Sequence, residues 1–190
     1  MSLTFGENCT AEFKIIVRKV FDQYPELHSE NIEVVRGEIK ESTMYARPIV
    51  LWKNWWKGFD YYKLKVAYHV RDSEHLEVDS LDPLVLEGWI AHEMGHIVDY
   101  LDHSIVDMAV YGLKYMWSDR FARKVEHNAD MIAVHHGFYE QIKITKEFLF
   151  YHNEIHPNYS AKMKKTYMSL EDLELCNTDY ERKLLNFSGD

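Results

Sequence analysis

The chain has 190 residues, 46% of them apolar and 28% charged, with a formal net charge of −9. This is the composition of a globular protein with a sizeable core, for which thirteen Tyr, nine Phe and five Trp supply the large packing units. The acidic balance speaks against general nucleic-acid binding and against docking on anionic lipid, and with no run of about 18 apolar residues no membrane span is expected.

At the N-terminus, residues 1–11 hold Glu7 and no apolar run, so no secretory leader is expected there. Cys9 and Cys176 are the two cysteines; they make no metal-type spacing and fit a reducing compartment, so a cytoplasmic location is expected. Thr10 is placed to cap a helix running through Tyr24, with Phe13, Ile16, Val17, Val20 and Phe21 at helical spacing and Pro25 as its stop. Residues 31–40 read as a strand that Gly37 interrupts. Residues 43–52 and 61–70, rich in Tyr, Val and Ile, read as two more, and Pro48 assigns the first of them to a sheet edge. Trp52, Trp55 and Trp56 lie near a turn at Lys57-Gly58, and Leu76 and Val78 mark a short further strand.

From residue 82 the pattern turns helical. Asp82-Pro83 opens a helix, cap first and proline next, and Leu86, Ile90, Ile97 and Leu101 form its apolar stripe. Ser118 caps a second helix that runs to Gly137, and residues 138–152 form a third. Ser169 with Asp172 and Thr178 with Glu181 are capping signals for two short helices. The expected architecture is α+β over 1–190: an N-terminal helix and small twisted sheet (about 10–80) packed on a mainly helical part (about 82–190).

The chemistry is concentrated in His92-Glu93-Met94-Gly95-His96, an H-E-x-x-H motif inside the helix begun at Pro83. Histidines four apart lie on one face, one turn above the other, so both imidazoles can meet one zinc ion. Glu93 is then within reach of a water at that ion. The apolar stripe is centred away from the histidines, which leaves this helix a polar edge. A catalytic zinc needs a third ligand, and Glu126 offers it from the helix after Ser118. Ala122, Ala129 and Ala133 share its face, small enough to let the two helices approach closely near Gly95. Asp130, one turn on, is placed to accept a hydrogen bond from the far nitrogen of His92 and fix its tautomer. The bland reading of Glu126 and Asp130 is an exposed acidic pair beside Arg120, Arg123 and Lys124.

H-E-x-x-H on one helix with E-x-x-x-D on a following one resembles the gluzincin metallopeptidases, through His92, Glu93, His96, Glu126 and Asp130. The short length is similar to the compact, minigluzincin-like members. The resemblance implies a zincin-like domain that hydrolyses amide bonds in peptide or protein substrates, with Zn2+ on His92, His96 and Glu126 and Glu93 as general base. It also implies that a strand before the metal helix rims the substrate cleft, for which 61–70 and 76–79 are the candidates. The family's transition-state Tyr or His has no counterpart placed by motif.

Other residues compete for the third ligand position. Asp102 stands six residues after His96, as a metzincin ligand does, but Asp99 replaces the glycine that would turn the chain towards the metal. Asp99 can orient His96 or face solvent. Two rival functions remain: a zinc-holding regulatory module without turnover, its shell closed by a fourth group such as His127, and a di-iron bundle. The bundle needs a second E-x-x-H besides Glu93-x-x-His96, and none occurs. Tyr100, Tyr111, Tyr115, Tyr139 and Trp89 lie near the motifs and are expected to pack. The sequence carries no signal for oligomeric state.

Overall fold

The computed structural model describes residues 2–51, 53 and 58–187; Trp52, Trp55, Trp56 and Lys57 of the expected turn lie outside them. The chain order is β1 (Ser2–Phe5), α1 (Ala11–Phe21), β2 (Asn31–Arg36), β3 (Met44–Ile49), β4 (Tyr61–Val66), β5 (His69–Val70) and β6 (Ser73–Glu77), then α2 (Pro83–Leu101), α3 (Ile105–Trp117), α4 (Asp119–His135), α5 (Tyr139–Tyr151), α6 (Pro157–Thr166) and α7 (Leu170–Phe187). The fold is α+β, as expected. The main sheet has the order β1-β2-β4-β3, with β1, β2 and β4 parallel and β3 antiparallel to β4. β5 and β6 form a separate ribbon. No helix among the described residues is long and apolar enough to cross a membrane.

Thr10 caps α1 by accepting the Phe13 N–H at 3.3 Å, and Phe13, Val17 and Val20 are buried. The helix stops at Phe21 rather than Tyr24. Pro25 disfavours helical backbone in the residue before it, and Tyr24 accordingly has φ −114° and ψ 77°. The Tyr24 hydroxyl then donates to Ala91 O at 2.7 Å, pinning this corner to α2. β3 is an edge strand, the place where Pro48 does not interrupt a central ladder.

α2 is the hub of the fold, packed by α1, α4, α5 and β3. Asp82 caps it by accepting the Leu84 N–H at 2.8 Å. Every residue from Val85 to Ile97 is buried, so the polar edge expected of this helix is enclosed by protein instead. Two glycines, seven residues apart, permit this. A Cβ on Gly88 would stand 2.2 Å from Gln141 O on α5, and one on Gly95 would stand 2.6 Å from Ala129 O on α4. One continuous apolar cluster joins the sheet side to the helices, from Cys9 to Leu173.

α4 is capped by Ser118, whose hydroxyl accepts the Phe121 N–H at 3.2 Å, and ends at His135, with Gly137 just beyond its His136 C-cap in the left-handed conformation at φ 86°. β1, α3 and α6 were not foreseen. α7 runs unbroken through Thr178, whose hydroxyl bonds back to Glu174 O at 2.9 Å within the helix, so two short helices are in fact one. Residues 61–70 likewise divide into β4 and part of the β5–β6 ribbon.

Candidate metal centre

His92 and His96 project from the middle of α2 and Glu126 from α4, across the contact that Gly95 and Ala129 create. One potential ligand atom from each lies within 4.8 Å of the others, and all three residues are buried. His92 Nε2 is 3.0 Å from Glu126 Oε2 and 3.1 Å from His96 Nε2, while His96 Nε2 is 3.5 Å from Glu126 Oε2. Asp130 meets the other edge of His92, its Oδ1 accepting from Nδ1 at 2.9 Å. The far oxygen of Asp130 accepts from the Lys146 ammonium of α5 at 2.6 Å.

This geometry fits a cation. An ionised carboxylate only accepts, so the proton on His92 belongs on Nδ1, facing Asp130. Its Nε2 lone pair then faces the Glu126 oxygen, acceptor against acceptor, unless a proton or a metal ion lies between them. Two imidazole nitrogens and a carboxylate oxygen form a donor set suited to zinc and similar divalent ions. Without an ion the proton wins. Burial disfavours charge on His92, but the hydrogen bonds to Asp130 and Glu126 outweigh this and raise its pKa to about 10. Burial would likewise raise Glu126, yet the charges and hydrogen bonds of the two histidines hold it well below the usual carboxylate range.

Glu93 is buried beside the cluster, and burial raises its pKa. Its carboxylate accepts the backbone N–H of Ala46. The Tyr100 hydroxyl bonds Ala46 O at 3.5 Å, so β3 meets α2 through both backbone groups of one residue. The strand at this point is neither of the two candidates, 61–70 and 76–79. β4 lies between β2 and β3 with both edges paired, and 76–79 straddles β6 and a 3₁₀ turn; the strand at Glu93 is β3.

The competing residues go elsewhere. Asp99 accepts from Tyr111 and Asn128, both at 2.7 Å, and so ties α3 and α4 to α2 rather than orienting His96. Asp102 is the C-cap of α2, and neither it nor His127 belongs to the cluster. His135 stacks on Tyr180, and His136 stacks on Tyr24. Trp89 is in the core.

Three contacts escaped the sequence reading. The Tyr115 hydroxyl of α3 donates to Glu126 Oε1 at 2.5 Å. The Tyr167 ring stacks on His92, centroids 5.0 Å apart and planes at 30°. Lys146 had a signal: it stands within the buried stripe of Ile142, Thr145, Leu149 and Phe150, where a lysine implies a buried anionic partner. Comparison with protein-family models, curated proteins and solved structures gives no match.

Proposed function

We propose that the protein is a zinc-dependent hydrolase of the gluzincin type that cleaves amide bonds in peptides. The observation that carries this reading is the convergence of His92, His96 and Glu126 on one point, with Asp130 on the outer edge of His92. These three residues would hold the ion, and Asp130 would keep His92 in the tautomer that offers Nε2. Zinc bound there supplies Lewis acidity, polarising the scissile carbonyl and easing deprotonation of the attacking water. Glu93 accepts that water's proton on its carboxylate as the oxygen bonds to the carbonyl carbon. It returns the proton to the leaving nitrogen as the C–N bond breaks. Burial raises its pKa, the direction that suits a carboxylate that must take up a proton as well as give it back.

Glu93→Gln tests the assignment. The variant should bind zinc as the parent does and lose at least about 10²-fold in turnover of a peptide the parent cleaves. Parent-like turnover in the variant refutes Glu93 as the base. A second reading, an ion-holding module without turnover, draws on the depth of the centre: His92, Glu93, His96 and Glu126 are each at most 7% exposed. A zinc-loaded parent that cleaves no member of a diverse peptide library supports that reading.

A further inference from the structure

We propose that Lys146 is a positioning residue of the metal centre, fixing from α5 both groups that hold the His92 imidazole. This rests on the reading of His92, His96 and Glu126 as an ion site. The Lys146 side chain is 3% exposed and that of Asp130 is 2% exposed, so the pair lies entirely inside the protein. One carboxylate oxygen takes the ammonium at 2.6 Å and the other takes His92 Nδ1 at 2.9 Å. With each oxygen held by a different donor, the plane of the carboxylate is fixed, and with it the edge of the imidazole.

The same ammonium lies 5.1 Å from the centroid of the Tyr167 ring, the ring that stacks on the face of His92. Edge and face of one imidazole are therefore both tied to one cation. Their joint effect is to aim Nε2 at the point it shares with His96 and Glu126. The pair also contributes to stability, because Asp130 without Lys146 is a buried charge lacking its partner, so the signature of a positioning role is a change at the metal rather than a loss of stability.

The test uses the whole chain. Zinc affinity is measured by competition with a chromophoric chelator, and the geometry of the site by the visible spectrum of the Co2+-loaded protein. Lys146→Met is expected to bind zinc about 10- to 100-fold more weakly, the range for lost support of a histidine ligand, and to shift the cobalt bands. Leu149→Ala removes a buried side chain from the same helix and serves as the packing control. It should lower stability and leave zinc affinity and the cobalt spectrum unchanged. If Lys146→Met does not fold, Lys146→Gln carries the test, with about tenfold weaker zinc and shifted bands expected. Parent-like affinity and spectrum in the lysine variant overturn the proposal, as does an equal loss in Leu149→Ala. Failure of the parent itself to bind either ion overturns the site reading, a result distinguishable from both.

Discussion

Gly95→Ala probes the contact that brings the two halves of the centre together. The new Cβ would lie 2.6 Å from Ala129 O and 3.2 Å from Ala129 C and Cα, all backbone atoms that no rotamer change can move. Restoring an ordinary contact of about 3.4 Å requires α4 to withdraw from α2 by roughly 0.8 Å. Glu126 is one turn from Ala129 on the same rigid helix and moves with it. Metal sites tolerate departures of only about 0.2 Å from ideal ligand distances, so the carboxylate falls out of range. Alanine is the better helix former by about 1 kcal/mol, but overpacking against backbone costs about 1–3 kcal/mol, so a net loss of up to about 2 kcal/mol is expected. Gly112 on α3 is the control, because a Cβ there meets nothing within 4 Å. Gly112→Ala should gain about 0.5–1 kcal/mol by propensity alone. Urea unfolding reads the stabilities, and chelator competition should show zinc affinity reduced at least about tenfold in Gly95→Ala only. A Gly95→Ala protein that is more stable than the parent and binds zinc equally well refutes the close-contact reasoning.

The metal-free protein should depend on pH in a specific direction. The folded-state pKa of His92, about 10, lies above the ordinary value of 6.5, so its contribution is complete below about pH 6.5 and is lost as pH rises towards 10. Chelator-treated protein should lose stability between pH 7 and 9, by at most about 1.4 kcal/mol per pH unit from this proton, and flat or rising urea midpoints there contradict the assignment. Zinc-loaded protein needs both histidines neutral, so its loss should come instead as pH falls below about 6, read as zinc release. Tyr115→Phe removes the hydroxyl that bonds Glu126 Oε1 and should cost about 1–2 kcal/mol. It should also speed zinc extraction by a chelator severalfold; an unchanged extraction rate means that α3 does not guard the centre.

The sequence was most legible where local chemistry and tertiary packing agree. The Thr10, Asp82 and Ser118 caps and the Gly137 stop are properties of a few neighbouring residues, and each is found in place. The meeting of α2 and α4 was readable because Gly95 and Ala129 make room for it. α3 was missed although Ser104 and Asp107 form a full capping box at its start. Its apolar residues Val106, Val110, Leu113, Met116 and Trp117 point to solvent, so no core-facing stripe announced it. β3 at Glu93 was equally hidden. Pro48 marked β3 as an edge strand, but that this edge is the one that packs on α2 beside Glu93 is a long-range property that no window of sequence contains.

Charge balance explains why the centre is built with this number of carboxylates. With its three carboxylates ionised and both histidines neutral, the buried shell of Glu93, Glu126, Asp130 and Lys146 would carry a net −2, and burial raises the pKa of Glu93 in response. Each buried ion costs several kcal/mol if left unpaired, so this excess must be matched. Lys146 is spent on the far oxygen of Asp130, away from the point where the histidines meet. The uncancelled pair is therefore Glu93 and Glu126, the two carboxylates beside the converging nitrogens. A divalent cation at that point cancels them in full, whereas one proton on His92 cancels only half. Metal binding should thus displace a proton and complete the neutralisation in one step, which makes metal affinity and pH two readings of the same electrostatic deficit.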